Sequence, residues 1–427
     1  MKIKWINHAG FMLQSGAVRL VCDPWIEGTA FDNGWKLLAP TAFRYEDFAE
    51  VTHIWFSHEH PDHFSPMNIK KIAPEVRSQI TVLFQTTDDK KVVEFCRKAG
   101  FKNVVELPPS KWYTVAPDFE VMNQNDKDGD SWLAIRAEGL GLLNLNDVVA
   151  YRTEGSLSAL GNLIGKIDVL FTQFSYASWV GNKTDVAMRQ ACAQEKIADI
   201  DMQVKILKPK YVVPFASFVW FCHEENFYVN EGYNKVGYVH QKLLQQNVTS
   251  VVLYPNDEWT IGAAYDSEAA IARYHADYDR VENGEPLVAG NSVAFSDLQT
   301  SAAQFVQQLK QKNGSILKYK LKSPANIYFT DLAQSAQLSL NGLETADIAV
   351  ENCDIAVASG ALAYCFKFDW GGGTLNINAR FEKPRNGNFT HLENYFYIAN
   401  LNNMGKRYTI WKVAENVTRR MKEKLLG

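Results

Sequence analysis

In the segment His58-Glu59-His60-Pro61-Asp62-His63, the pattern His-x-His-x-Asp-His supplies four potential metal ligands. It follows an apolar run, residues 54–56, that is typical of a buried strand. Residues two apart in an extended chain point the same way, so His58 and His60 could bind one ion. Pro61 then ends the strand and directs Asp62 and His63 elsewhere. The sequence predicts two adjacent metal sites; the alternative is a polar loop in which Asp62 caps a helix.

Composition limits the class of protein that carries this segment. The 427 residues are 46% hydrophobic and 22% charged, which is typical of a folded globular chain with two to three domains. A net charge of -4, with acids and bases mixed, argues against nucleic acid and favours a small-molecule substrate. No apolar run reaches the roughly 20 residues that span a bilayer, and residues 1–5 lack the apolar core of a signal peptide. We therefore expect a cytoplasmic protein without a membrane span.

Apolar runs and helical stretches alternate up to residue 260, which predicts a layered α/β domain at residues 1–260. Residues 261–310 are helical in pattern and predict a connector. Residues 311–427 predict a smaller α+β domain that could shield the site or form a homo-oligomer. Its predicted strands are residues 315–321, 348–350 and 374–379. We also expect the three glycines at 371–373 to form a turn, and residues 413–426 to form a basic amphipathic helix.

The six cysteines are widely scattered, and only Cys222 lies next to a histidine. This spacing argues against a disulfide framework. It also lacks the paired cysteine and histidine pattern of a Rieske iron–sulfur centre. We therefore expect no intrinsic Rieske cluster.

The histidine cluster after a strand resembles the signature of the metallo-β-lactamase superfamily. That resemblance implies an αββα sandwich, here followed by the smaller α+β domain. Within the superfamily, the closer resemblance is to the branch that contains the CMP-N-acetylneuraminate hydroxylases. The matching motifs, in order along residues 1–230, are Asp23-Pro24-Trp25, the segment 57–63, Leu145-Asn146-Asp147, the segment 173–179 and the segment 214–226.

The resemblance implies further site residues. Asp147 corresponds to the aspartate that bridges two metals, and His223 to the last histidine of the second metal, with His240 as the alternative. His8 matches a position near the site, where it would contact substrate or form a structural hydrogen bond. Trp179 and Phe218 follow strand ends, where ligands gather in α/β layers, so we expect them to line the substrate pocket.

One ligand that the superfamily uses is missing. Most of its hydrolases place a third histidine on the first metal, whereas this chain has no histidine between His63 and His223. Three aspartates, at 126, 128 and 130, lie in that interval, and we assign Asp130; an acidic loop turning at Gly129 is the alternative. An oxygen ligand suits iron or manganese better than zinc. We expect two divalent metal ions, with iron favoured and zinc or manganese as alternatives.

Two reactions are compatible with these residues. The hydroxylase resemblance implies an iron-dependent oxygenase acting on an amino sugar, a nucleotide sugar or a similar small molecule, with electrons from a separate ferredoxin or Rieske partner. The alternative is a hydrolase of an ester, amide or phosphodiester that uses a metal-bound hydroxide, with Asp62 orienting the water or acting as general base. The missing histidine favours the oxygenase, and the missing Rieske pattern favours the hydrolase. A binding protein with a decayed site is a third hypothesis, opposed by the intact set of ligands.

Overall fold

The computed structural model describes residues 1–126 and 129–409. Its strands, in chain order, are β1 (Lys2–Asn7), β2 (Gly10–Ser15), β3 (Val18–Cys22), β4 (Thr29–Ala30), β5 (Trp35–Leu37), β6 (His53–Phe56), β7 (Thr81–Gln85), β8 (Asn103–Leu107), β9 (Tyr113–Ala116), β10 (Phe119–Asn125), β11 (Ser131–Ala137), β12 (Leu140–Asn144), β13 (Val169–Gln173), β14 (Tyr211–Phe215), β15 (Val219–Phe221), β16 (Thr249–Ser250), β17 (Glu258–Thr260), β18 (Ala325–Phe329), β19 (Gln334–Ser339), β20 (Gly342–Thr345), β21 (Ile355–Val357) and β22 (Phe381–Glu382).

The helices, in chain order, are α1 (Pro66–Lys71), α2 (Pro74–Arg77), α3 (Lys91–Lys98), α4 (Glu154–Ile164), α5 (Val186–Leu207), α6 (Val236–Leu244), α7 (Ser267–Glu282), α8 (Phe295–Asn313), α9 (Leu317–Lys320), α10 (Ser359–Lys367), α11 (Gly371–Asn378) and α12 (Thr390–Asn403). No helix within the described residues is long and apolar enough to cross a bilayer.

Two seven-stranded sheets face each other, in the orders β17-β1-β2-β3-β6-β7-β8 and β16-β14-β13-β12-β11-β10-β9. The main hydrophobic core lies between them, where the rings of Phe11 and Phe171 stack at 4.6 Å. In β6, Trp55 belongs to this core, while Ile54 and Phe56 pack on the opposite face with residues of α1 and α3. Both faces of the strand are covered, which explains its uninterrupted apolar run. The predicted αββα fold is confirmed.

The direction of the strands brings their ends together. Strands β3, β6, β7 and β8 are parallel in the first sheet, and β12, β13, β14 and β16 are parallel in the second. Strand β1 also runs parallel to β3, because β2 pairs antiparallel with both. The carboxyl ends of such strands are where α/β layers bind ligands. The loops after β1, β3, β6, β12 and β13 are therefore the ones that could build a site.

The C-terminal part forms the smaller α+β domain that the sequence predicts. Its five-stranded sheet has the order β20-β19-β18-β21-β22, and a separate hydrophobic cluster joins it to α8, α10 and α12. Tyr274 of α7 packs into the first core, whereas Phe305 of α8 packs into this second cluster. The domain boundaries at residues 260 and 310 stay predictions.

Three strands predicted for this part are wrong. Residues 315–321 contain a 3-10 turn and α9, residues 348–350 lead into a 3-10 turn, and residues 374–379 lie mostly in α11. In such short windows, alternating apolar residues do not distinguish a strand from a buried helix.

The turn predicted at 371–373 is also wrong, because these glycines begin α11. A Cβ on Gly372 would lie 2.2 Å from Cβ of Phe396. The glycines therefore permit close helix packing. The basic helix predicted at 413–426 lies outside the described residues.

Candidate metal centre

Asp23, directly after β3, connects the loops that meet at the strand ends. Its carboxylate accepts hydrogen bonds from the backbone N–H and hydroxyl of Ser57, at 2.8 and 2.7 Å, and from the side-chain amide of Asn146 at 2.9 Å. The same carboxylate lies 2.9 Å from Nδ1 of His63. Asp23 and Asn146 have φ values of 37° and 51°, in the left-handed region that residues with a Cβ adopt uncommonly. Asp23 thereby fixes the His63 ring with Nε2 pointing away from it.

The first group of potential ligands contains His58, His60 and Asp130. Nε2 of His58 lies 2.8 Å from Nδ1 of His60 and 3.5 Å from Oδ1 of Asp130. The other ring nitrogen of His58 is 2.8 Å from the hydroxyl of Ser57. The structure thus brings the two histidines together as their spacing predicts, and Asp130 lies beside them. Asp128 falls outside the described residues.

The second group contains His8, Asp62 and His63. Oδ2 of Asp62 lies 3.2 Å from Nε2 of His8 and 3.2 Å from Nε2 of His63. His8 follows β1 with a φ of 41°, and its side chain is buried. The resemblance implies a substrate contact or a structural hydrogen bond for His8, and in the structure its ring lies within hydrogen-bonding distance of Asp62, among the potential metal ligands.

Asp147 links the two groups, because it forms a third potential site with His58 and His63. Its Oδ2 lies 3.1 Å from Nε2 of His63, and its Oδ1 accepts a hydrogen bond of 3.1 Å from the amide of Gln173. A carboxylate in this position can reach both groups.

The electrostatics of the cluster favour metal ligation by the first group. Burial and the neighbouring histidines lower the pKa values of His58 and His60, so both rings are neutral, the form that binds metals. Burial opposes a charge on His63, but Asp62, Asp147 and Asp23 together raise its pKa well above the usual value. Burial also opposes the charge on Asp62, yet His63 and His8 hold its pKa well below the usual range. The three carboxylates therefore favour the protonated form of the His63 ring when no metal ion is bound.

Two buried polar atoms without partners also indicate that the cluster could hold a metal ion. Oδ1 of Asp62 and Nδ1 of His8 are buried without a hydrogen-bond partner among the described residues. Buried polar atoms almost always have partners, and exceptions need an explanation. A bound ion or its water ligands would satisfy a carboxylate oxygen in this place. The residues present could hold metal ions.

Three predicted site residues do not join this cluster. His223 belongs to none of the three groups among the described residues; its Nδ1 instead lies 3.7 Å from Glu225. The assignment of His223 to the second metal therefore stays a prediction, and the structure adds His8 to the potential ligands.

Phe218 is fully buried in the main core, stacked on Tyr274 at 4.4 Å, so it cannot line an open pocket. Trp179 packs at 5.3 Å on Phe381 of the C-terminal domain. Both strand ends are covered by the C-terminal half of the chain, which the sequence pattern did not reveal.

Comparison with known proteins places the fold in a family. A model described as "Beta-lactamase superfamily domain" matches residues 2–216, just over half of the chain. A putative Rieske 2Fe-2S iron-sulfur protein of Mycolicibacterium smegmatis is 26% identical over 198 residues, 44% of this chain and 37% of that protein. The cytidine monophosphate-N-acetylneuraminic acid hydroxylase of Xenopus laevis is 27% identical over 270 residues, 60% of this chain and 44% of that protein. The chain thus spans less than half of the length of these curated relatives.

Among solved structures, the diiron β-hydroxylase CmlA of Streptomyces venezuelae superposes with a TM-score of 0.42 at 14% identity, covering 61% of this chain and 54% of that one. The resemblance to the hydroxylase branch that the motifs indicate is confirmed by the named relatives. From the match over residues 2–216, this chain belongs to the beta-lactamase superfamily.

Proposed function

We propose that this protein is a dinuclear-metal oxygenase that hydroxylates an amino sugar, a nucleotide sugar or a similar small molecule. The observation that carries the proposal is the composition of the two ligand groups. His58, His60 and Asp130 form one, and His8, His63 and Asp62 form the other. Each combines two imidazoles with one carboxylate, the donor set of non-haem iron oxygenases. Asp147, near His58 and His63, would serve as a ligand shared by the two groups.

Two bound iron ions would supply the binding and reduction of dioxygen. Hydroxylation consumes one dioxygen, two electrons and two protons; one oxygen atom enters the substrate and the other leaves as water. We infer that a separate ferredoxin or Rieske protein delivers the electrons. The relation to a putative Rieske protein and to a named hydroxylase supports this inference.

The residues around the ligands restrict the movement of the imidazole rings. Asp23 orients His63, the ring of Trp25 contacts His8 edge-on at 5.9 Å, and Phe31 contacts His60 at 5.7 Å. Their role in the proposed reaction is to hold the ligand set in one geometry.

Hydrolysis is the second candidate, and one observation favours it. Oδ1 of Asp62 is buried and has no hydrogen-bond partner within the described part of the chain. It could therefore accept a proton from an attacking water, as the general base of an ester, amide or phosphodiester hydrolase requires.

The deciding experiment starts with protein produced without added zinc and purified anaerobically. Metal identity and stoichiometry are measured by elemental analysis, and the optical spectrum is followed after oxygen is admitted. The reduced protein is then given ¹⁸O-labelled dioxygen, a ferredoxin with its reductase, and CMP-N-acetylneuraminate as the first substrate probe. The variant Asp62→Asn serves as the inactive control.

We expect close to two irons per chain, an oxygen-dependent spectral change and one ¹⁸O atom in the product. If the protein contains iron and reacts with oxygen but does not hydroxylate this probe, the oxygenase hypothesis stands and CMP-N-acetylneuraminate is excluded as the substrate. Stable zinc with no response to oxygen would overturn the oxygenase and make hydrolysis the leading function.

A further inference from the structure

A row of three side chains leads from a helix to the metal centre. Nζ of Lys196 donates a hydrogen bond of 2.7 Å to Oε1 of Gln173. Nε2 of Gln173 donates one of 3.1 Å to Oδ1 of Asp147. The other oxygen of Asp147, Oδ2, lies 3.1 Å from Nε2 of His63. One carboxylate oxygen is therefore held by the row, and the other faces the potential ligands.

The fold places these three residues together. Strands β12 and β13 are parallel neighbours, with Asn144 beside Phe171. Gln173 is the last residue of β13, and Asp147 follows β12 by three residues, so both lie at the same sheet edge. Lys196 lies in the middle of the 22-residue helix α5. The row thus depends on helix α5 as well as on the ends of β12 and β13.

The chemistry of the row explains why residue 173 is a glutamine. An ammonium group only donates hydrogen bonds, and a carboxylate only accepts them. An amide does both, so Gln173 can accept from Lys196 and donate to Asp147 at the same time. A glutamate there would turn a negative charge towards Asp147, and an apolar residue would leave both neighbours without this partner.

Lys196 is an unfavourable residue in this place unless it has a function. Burial, together with the nearby Arg152, lowers the pKa of its ammonium group, while Asp199 and Asp147 oppose that effect. A charge in a partly buried place costs free energy that its partners must offset. By contrast, Lys205 on the same helix pairs with Glu154 at the surface, with 69% of its side chain exposed.

We propose that Lys196 and Gln173 are positioning residues for Asp147: they hold Oδ1 and leave Oδ2 as the atom presented to the metal ions. This inference rests on the proposed function only in taking Asp147 as a metal ligand. It adds that Lys196, a residue of α5, affects the affinity for metal ions through the side-chain amide of Gln173, which is not itself a metal ligand.

The test measures metal binding directly and does not need a substrate. Metal-free protein is titrated with Co²⁺, and the affinity for each ion is obtained by calorimetry together with the visible absorption spectrum. The variants are Gln173→Glu and Lys196→Met, with Lys196→Arg as the conservative variant and Lys205→Met as the matched control on the same helix. Thermal unfolding of each metal-free variant is recorded separately.

We expect Gln173→Glu and Lys196→Met to bind one of two ions about 10–100-fold more weakly, with an altered spectrum, as is typical when a partner of a ligand is removed. Lys196→Arg should recover most of the affinity, and Lys205→Met should match the unmodified protein. If Gln173→Glu fails to fold, the metal affinities of Lys196→Met and Lys196→Arg test the positioning role without it.

Failure of this inference and failure of the proposed function give different results. An unmodified protein that binds no Co²⁺ would reject the metal centre itself. If the unmodified protein binds two ions and both variants bind them with the same affinities and spectrum, the positioning role is overturned. Variants that only unfold at lower temperature, with metal binding unchanged, would overturn it as well, because the row would then serve stability alone.

Discussion

At the level of single residues, substitution of His60 is the most direct test of the proposed metal centre. Its Nδ1 faces His58 at 2.8 Å, and its ring edge packs on Phe31. We expect His60→Ala to lose at least one metal ion and nearly all activity, because the first group would keep only one imidazole. Elemental analysis of the purified variant measures the loss.

The matched control for this test is His53→Gln. His53 lies in the same strand, β6, but at the opposite end from the site, where it contacts Thr52. The control should retain both metal ions. Full metal occupancy and activity in His60→Ala would show that the ligand groups are assigned to the wrong residues.

Asp130 is expected to determine which metal is preferred. It lies 3.5 Å from His58 and gives the first group its carboxylate. Replacing it with histidine would create a group of three nitrogen ligands, which suits zinc better than iron. We expect Asp130→His, grown with equal iron and zinc, to carry a higher ratio of zinc to iron than the unmodified protein.

The control for Asp130→His is the same change at Asp279, an exposed position of α7 far along the chain. Its metal ratio should equal that of the unmodified protein. An unchanged ratio in Asp130→His would mean that Asp130 belongs to an acidic loop and not to the metal site.

His223, although outside the cluster, should contribute to the pH dependence of stability. Burial and the nearby Arg380 lower its pKa to about 4. Its pKa in the unfolded chain is about 6.5, so the unfolded state binds the extra proton between these values. The stability that the folded protein gains from a neutral His223 is therefore fully present above about pH 6.5, and it is lost as the pH falls towards 4.

The measurement is the free energy of unfolding of metal-free protein at pH 7 and pH 5, for the unmodified chain and for His223→Gln. The unmodified chain should lose more stability between the two pH values than the variant. Equal losses would contradict the effect of His223, whatever the other histidines contribute.

Among the structural elements, the turn after β4 is strained and supports the site. Phe31, Asp32 and Asn33 have φ values of 53°, 52° and 59°, which cost about 1–2 kcal/mol per residue for side chains with a Cβ. The C-terminal domain holds this turn, since Asn378 donates to the carbonyl of Phe31 at 3.1 Å and Arg380 donates to that of Asp32 at 2.8 Å. This conformation of residues 31–33 brings the ring of Phe31 into contact with His60.

Gly34, at the end of this turn, should not accept a side chain. A Cβ there would lie 2.4 Å from Cβ of Asn378 and 2.9 Å from the carbonyl oxygen of Phe31. We expect Gly34→Ala to destabilise the protein by about 1–3 kcal/mol, the usual cost of overpacking. Chemical denaturation gives the free energy of unfolding.

Gly155→Ala is the control for Gly34→Ala. Gly155 lies in α4 with open space around its Cβ position, and alanine is the better helix former. This variant should be as stable as the unmodified protein or more so. A Gly34→Ala variant with unchanged stability would show that the turn and α11 can move apart.

For the molecule as a whole, the C-terminal domain contacts the metal-binding segment at Glu59 and the turn beside it at Asp32. Asn403, at the end of α12, donates a hydrogen bond of 2.8 Å to Glu59, the residue between His58 and His60. Arg380 pairs with Asp32 at 2.9 Å and with Glu225 at 2.8 Å, and its side chain is only 5% exposed. The domain therefore packs on the site and supports its shape.

We expect Arg380→Met to lower the free energy of unfolding by about 1.5–3 kcal/mol, the range for hydrogen bonds to charged groups, because two carboxylates lose their cation. Its metal content should fall as well, since the turn at 31–33 would be less well held. Arg385→Met, at an exposed position of the same domain, is the control. Equal stability and metal content in the two variants would contradict a supporting role for the domain.

Local patterns predicted the elements of the first domain well and those of the second poorly. The alternating apolar runs and helical stretches of residues 1–260 are strands and helices in the structure, for example β14, Tyr211–Phe215, and α5, Val186–Leu207. By contrast, residues 374–379 alternate apolar and polar side chains like a strand but lie in a helix packed closely on Phe396. Packing against distant residues overrides weak local preference in such short windows.

The sequence by itself determined the superfamily, the fold class and the pairing of His58 with His60, because these depend on residues that are close in the chain. The tertiary structure alone decided that His8 lies 3.2 Å from Asp62, 54 positions further on, and that His63 lies 3.1 Å from Asp147, 84 positions further on. It also decided that Gln173 connects Lys196 to Asp147. Such contacts follow from the register of strands in two facing sheets, which no local spacing of residues specifies.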